Sequence, residues 1–192
     1  MKNPFLIGEK IYLRPMERED AAACQAYVND PDVRRTLDQY RPKNLAFEEA
    51  WIEGQSRDEH TIVLGIALKQ SDRLIGATDL RDIDAVNRKA LFGLVIGAKE
   101  EWHKGYGTEA TQLMLKYGFA TLNLNRIALN VYATNPHAVR AYQKAGFVQE
   151  GTLRKDVFRD GRYIDVFVMA ILRDEWERLT EKNVECSVLT DA

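Results

Sequence analysis

The sequence predicts an α/β fold, one domain built on a mixed sheet with helices on its faces. Three observations lead there. Two strand-to-helix units sit mid-chain, 89–96 before 105–122 and 126–132 before 136–145. Strands lie next to strands on either side of them, 61–69 with 74–81 and 147–153 with 163–172, which a purely doubly wound sheet would not have. The length, 192 residues, suits one domain and is short for two.

The elements follow in chain order. Residues 10–14 (KIYLR) alternate and stop at Pro15, as a strand does. Asp20 stands as an N-cap ahead of a helix over 21–28. Asp30-Pro31 restarts the chain into a short helix to Leu37, and 45–57 is the next helix. Strands over 61–69 and 74–81 flank the turn residues Gln70-Ser71-Asp72. The run 89–96 (KALFGLVI) is apolar enough for a strand covered on both faces. Residues 105–122 form one long helix and 126–132 a buried strand. Pro136 opens a helix that Gly146 closes. Strands over 147–153 and 163–172 are joined by a hairpin-like region containing Asp160-Gly161. A short helix over 173–179 ends the domain, giving about seven strands within residues 1–180 and a loose tail over 181–192.

Composition narrows the function classes. Lys plus Arg is 27 and Asp plus Glu 29, a net charge of −2, which argues against a generic nucleic-acid binder. No run approaches 18 apolar residues, so no membrane helix is expected. The N-terminus lacks a signal-peptide core, and Cys24 and Cys186 are far apart, which fits a reducing cytoplasm. The three histidines and two cysteines fall into no zinc-ligand spacing, so no metal is expected.

The strongest chemical signal is HKGYGTEA, residues 103–110, between a buried strand and a long helix. Gly105 and Gly107 remove Cβ atoms where the backbone approaches another group closely. The free N–H groups and dipole of a helix start favour an anion, so the turn suits a pyrophosphate. Locally, a plain tight turn onto a helix accounts for it as well. Residues 105–110 also match GxGxxA, but a dinucleotide fold would place this turn directly after the first strand and end the next strand in an acid. Here eight residues intervene after Ile96, three strands precede, and the later strand ends in Thr134-Asn135. No Gly-Lys-Ser/Thr is present either. A phosphate-bearing cofactor other than a nicotinamide dinucleotide remains.

Taken together, ALFGLVI, EEWHKGYGTEA, RIALNVYATN and NPHAVRAYQKAGF, within 90–151, resemble the cofactor core of the GNAT superfamily of acetyl-CoA-dependent N-acetyltransferases. The flanking IYLRPMEREDAAACQAYVNDPDVRRTL and DVFVMAILRDEWERL extend the likeness to the RimJ/RimL-like branch, known for ribosomal-protein N-termini and containing small-amine acetylators too. The resemblance implies a splayed, mostly antiparallel sheet that admits acetyl-CoA. It implies a pyrophosphate held by the backbone of His103, Lys104, Gly105, Tyr106, Gly107 and Thr108, with Trp102 in place of the usual Gln or Arg. It implies pantetheine contacts from Val95, Ile96 and Asn135, a 3′-phosphate contact from Lys144, and Tyr142 as the acid that protonates the leaving thiolate. Read locally, Tyr142 is a core aromatic beside Val139, and Asn135 an N-cap for the Pro136 helix; capping uses only the side-chain oxygen, so both roles of Asn135 can coexist.

The implied reaction is direct acetyl transfer to a primary amine. Many members of the resembled superfamily place a Glu two residues before the strand Gly as base; here that residue is Leu91. A lysine-like amine is neutral in about one molecule in 2,000 at pH 7, an α-amine in about one in ten, so the missing base favours an α-amine such as a protein N-terminus. A small amine, such as a polyamine or an antibiotic amine, is the alternative acceptor, and a CoA-binding sensor the non-enzymatic one. Asp79, Asp82 and Asp84 are candidates for the acceptor side, either attracting a cation or acting through water. A homodimer through the C-terminal strands is a further expectation.

Overall fold

The computed structural model describes residues 1–190, without the side chains of Ser56 and 182–190. Eight strands form one open sheet: β1 (Leu6–Ile7), β2 (Ile11–Arg14), β3 (Ile62–Leu68), β4 (Leu74–Asp84), β5 (Lys89–Ile96), β6 (Arg126–Tyr132), β7 (Val148–Arg159) and β8 (Arg162–Leu172). Their spatial order is β1-β2-β3-β4-β5-β6-β8-β7. The short β1 is the strand beyond the seven expected; a two-residue strand carries no alternation to recognise.

The helices are α1 (Ala21–Asn29), α2 (Pro31–Arg34), α3 (Leu45–Gly54), α4 (Tyr106–Lys116), α5 (Pro136–Lys144) and α6 (Arg173–Thr190). A π-helical turn, Tyr117–Thr121, continues α4. The final helix is longer than the 173–179 expected. The loose tail expected over 181–192 falls largely on 182–190, whose side chains lie outside the described residues, and on 191–192, which lie outside them altogether.

Only β5 and β6 run parallel; every other neighbouring pair is antiparallel. A parallel pair needs a crossover, and α4 supplies it. The apolar side of α4, with Ala110, Met114 and Leu115 fully buried, packs on Ile11, Ile75, Leu80, Phe92 and Ile127 of the sheet. In β5 only Ala90 and Phe92 are buried, not both faces as expected: past Leu91 the strand has no partner on its β6 side, and Gly93 to Ile96 are half-buried.

Two local expectations change. Asp20 does not cap α1: its carboxylate takes Nη1 and Nη2 of Arg14 at 2.7 and 2.8 Å and the Glu17 N–H. Burial pushes the Asp20 carboxyl up, but Arg14 and the Glu17 amide outweigh it, and its pKa falls below the usual range. Strand β7 runs six residues past the expected Leu153 to Arg159, and Asp160-Gly161 is the whole turn. The charged run RKD concealed it, because an edge strand needs no apolar alternation.

Candidate active site

Strands β5 and β6 pair from Lys89↔Arg126 to Leu91↔Ala128 and no further. Beyond that point β5 continues to Ile96 and β6 to Tyr132, so the sheet opens into a gap between them. Which backbone groups face the gap follows from parity. Gly97 donates to the Ile75 carbonyl, so in the antiparallel β4–β5 register the odd-numbered residues of β5 bond to β4. Thr78 Oγ1 donates to the Gly93 carbonyl at 2.9 Å on that same side. Leu94 and Ile96 therefore turn their backbone groups toward the gap. Of the two residues expected there, Ile96 faces it, whereas the backbone groups of Val95 go to Ala77. Leu94 joins Ile96 there, which the sequence alone does not indicate, since parity depends on the neighbour's register.

The turn after β5 is held from both ends. Trp102 donates its indole N–H to the Ile96 carbonyl at 2.7 Å, so the residue in place of Gln or Arg pins the loop to the strand end. It leaves the Ile96 N–H free. Gly105 sits at φ +89 with nothing within 4 Å of its Cβ position, a conformation L side chains avoid. Glu109 N–H makes the first bond of α4, to Gly105. The N–H groups of Tyr106, Gly107 and Thr108 are thus at an unpaired helix start, which fits a pyrophosphate. The Lys104 ammonium is paired with Glu101 at 2.7 Å.

Two groups from α5 join this turn that the sequence did not single out. The His137 ring lies 4.5 Å from that of His103. Arg140 reaches His137 Nδ1 at 3.1 Å; a guanidinium only donates, so Nδ1 accepts. Asn135 caps α5, its Oδ1 accepting from Ala138 N–H at 3.2 Å, which leaves Nδ2 to donate elsewhere. Lys144 is exposed at the far end of α5, about 10 Å of helix rise from His137, and is not brought to the turn.

Tyr142 lies in the core face of α5, only 8% exposed. Its ring meets Phe92 edge-on at 6.0 Å and Phe147 at 5.8 Å. Phe92 is the first residue of β5 past the last β5–β6 pair, so the phenol stands at the mouth of the gap. Its hydroxyl makes no hydrogen bond among the described residues. Burial, then the Asp79 charge, push the phenol up to about 12.

The three candidate carboxylates separate. Asp84 spends its oxygens on Val86 N–H, Asn87 N–H and Asn87 Nδ2, closing the β4–β5 turn. Asp82 is exposed, on a left-handed φ of 52. Asp79 pairs with Gly93 across β4–β5, and its carboxylate lies over the Gly93 Cα: a Cβ there would be 2.6 Å from Oδ2. Arg81 bonds it at 2.9 Å. Burial nevertheless holds the Asp79 carboxyl above the usual carboxylate range, against the pull of Arg81. Phe92 and Gly93 point to opposite faces, so Tyr142 and Asp79 approach the gap from opposite sides of the sheet. Leu91, opposite Arg81, lies two pairs along from Asp79 and on the same face.

Among the described residues no group of three or more His, Cys, Asp or Glu side chains is arranged to hold a metal, and no helix is long and apolar enough to cross a membrane.

Comparisons with known proteins agree with this geometry. Residues 10–148 match the family described as the acetyltransferase (GNAT) domain. The chain is 32% identical over 182 residues to a spermidine N(1)-acetyltransferase of Escherichia coli K12, covering 88% of this chain and 89% of that one. It is 36% identical over 178 residues to a putative ribosomal N-acetyltransferase of Bacillus subtilis, covering 89% and 96%. Among solved structures, spermidine N-acetyltransferase from Vibrio cholerae in complex with CoA and spermine superposes with a TM-score of 0.81 at 30% identity, covering 87% of this chain and 98% of that one.

Proposed function

The chain belongs to the GNAT acetyltransferase family and is an acetyl-CoA-dependent N-acetyltransferase, and from that premise we propose that it acetylates the primary amine of a small molecule. One observation carries the reading of the site: the β5–β6 gap has a protonated phenol on one face and a half-buried carboxylate on the other. The small-molecule acceptor is supported by the likeness to spermidine acetyltransferases. A protein N-terminus is the second reading, favoured by the likeness to a putative ribosomal N-acetyltransferase and by Leu91 in the usual base position.

In the proposed reaction Tyr106, Gly107 and Thr108 hold the pyrophosphate of acetyl-CoA by their backbone N–H groups. Leu94 and Ile96 offer backbone groups to the pantetheine arm along the gap, and Asn135 Nδ2 offers a further donor. Asp79, in place of the missing Glu, takes a proton from the acceptor ammonium, directly or through water. Its raised pKa makes it a stronger base than a solvated carboxylate. The neutral amine attacks the thioester carbonyl, and a gap-facing N–H stabilises the oxyanion. The C–S bond then breaks, Tyr142 gives its proton to the departing thiolate, and the surplus proton on the acetylated nitrogen returns through water to the Tyr142 phenolate, leaving the acetylated amine, CoA thiol and a protonated Asp79. No covalent acyl-enzyme is needed, because binding both substrates supplies proximity. The one free thiol among the described residues, Cys24, is buried, and burial raises its pKa to about 12, unsuited to a nucleophile. An unpaired thiol also accords with a cytoplasmic place of action.

The test is a panel of amines with acetyl-CoA, read by thiol release and by mass. Turnover of at least one small primary amine above the rate with N-terminal peptides supports the proposal. Turnover of peptides alone moves the function to the second reading, and CoA binding without turnover of any amine or peptide on the panel overturns both.

A further inference from the structure

A cleft of about 270 Å³ opens between α2, the segment after it and the β7–β8 turn. It is lined by Arg34, Arg35, Arg159, Asp160, Tyr40 and Gln39 among others, three guanidiniums against one carboxylate. The cleft adjoins the gap through Arg159, whose guanidinium carbon lies 5.9 Å from the Tyr132 ring centroid and whose Nη2 lies 3.4 Å from the Tyr132 hydroxyl. Tyr132 ends β6, four residues past the last β5–β6 pair and about 13 Å along the strand.

The charges here are unequal in burial. Arg159 has a side chain only 21% exposed, fixed by the Leu37 carbonyl at 3.0 Å and the Phe158 carbonyl at 3.1 Å. Its Nε is enclosed and has no partner. The carboxylates nearby are solvated: Asp38, 3.3 Å from Arg159, is 87% exposed, and Asp160, 3.4 Å from Arg35, is 68% exposed. Arg35 also reaches Asp32 at 3.4 Å. The Arg34 guanidinium has no hydrogen bond or ion pair among the described residues. Solvent screens the exposed acids more strongly than the held guanidinium, so the net field in the cleft is positive.

We propose that this cleft binds an anionic group at the far end of the acceptor, so that the enzyme selects an amine carrying a carboxylate or a phosphate over a polycation. The inference rests on the amine-acetylating gap and names the class of molecule that fills it: an amine at the gap and an anion at Arg34, Arg35 and Arg159, joined by a spacer. A second ammonium would instead meet three guanidiniums, a like-charge contact that rejects diamines. Arg34, the unengaged one, is the specificity-determining residue open to test without disturbing the fold; Arg159 also ties β7 to the segment after α2.

The experiment compares acceptors matched in length and differing in the distal group, ε-aminocaproate and hexamethylenediamine, with the full chain and acetyl-CoA. The expected result is a kcat/KM at least tenfold higher for ε-aminocaproate. Arg34→Glu brings that ratio to one or inverts it, while Arg34→Lys keeps it above one. Equal turnover, or preference for the diamine, overturns the inference even though amine acetylation stands. If neither is acetylated, the proposed reaction fails for such amines, and calorimetry with the CoA-bound protein decides the cleft separately. Binding of ε-aminocaproate at least tenfold tighter than hexamethylenediamine, lost in Arg34→Glu, upholds the cleft; equal or reversed affinity overturns it.

Discussion

Replacing Tyr142 by Phe removes one hydroxyl and little else. The ring keeps its edge-on contact with Phe92 at 6.0 Å and its contact with Phe147 at 5.8 Å. The hydroxyl has no protein hydrogen bond to lose, so stability should change by no more than about 0.5 kcal/mol, about 2 °C in Tm for a chain of this size. The chemistry should change far more. A phenol near 12 is protonated in all but about one molecule in 100,000 at pH 7, so the donor is always loaded. A solvated thiolate, with a thiol pKa of about 8.5, would be a poor acceptor for it. A thiolate leaving into an enclosed space is more basic, because desolvation disfavours its charge. The difference between donor and acceptor narrows, and a positioned general acid is worth about 10²–10⁴ in rate. At about 1.4 kcal/mol per tenfold, the loss is about 3–5 kcal/mol of barrier. The assay is steady-state thiol release, with CoA affinity and Tm measured on the same protein. Turnover down by at least a hundredfold with CoA affinity within about twofold is expected. Turnover within about threefold of the parent, with binding intact, would refute the role of Tyr142.

Changes at three other positions test other parts of the site and fold. Gly107→Ala should leave CoA affinity within about twofold, since its Cβ would meet Leu94 and Ile96 side chains at 3.6 and 3.9 Å, whereas Gly107→Leu must push on those gap residues and weaken CoA at least tenfold in calorimetry. Asp79→Asn should lower kcat/KM by about 10²-fold or more; in the parent the acidic inflection should lie above the ordinary carboxylate range, because burial raises Asp79, and the variant should lose that inflection in a pH–rate profile. Arg14→Met leaves Asp20 buried without its cation, at a cost of about 3–5 kcal/mol in urea unfolding at pH 7. The Asp20 pKa is depressed in the fold, so the pair stabilises above the unfolded value and loses that contribution as pH falls through the folded one; the gap between parent and variant should therefore shrink in acid.

How much was legible depended on whether a feature was local. The turn at 103–108, the N-cap Asn135 and Tyr142 each belong to one strand-turn-helix segment, and their order along the chain carries their placement. The gap-facing residue Leu94 was not legible, because only the β4–β5 register decides whether odd or even residues are spent on the neighbour. For the same reason DLRDID did not reveal which aspartate lies where: Asp79 is distinguished by lying over Gly93, and Asp84 by its turn. Asp20 looked like a cap because its partner Arg14 belongs to the preceding strand. Arg34 and Arg159, more than a hundred residues apart, share a cleft only after folding.

Amide hydrogen exchange with and without CoA tests the central claim, that the opening between β5 and β6 receives the cofactor's arm. The Leu94 and Ile96 amides face the gap and should gain protection when CoA is added, together with those of Tyr106, Gly107 and Thr108 at the start of α4. The Val95 amide, already bonded toward Ala77, should change little. CoA that binds without slowing exchange at Leu94 and Ile96 would contradict the account.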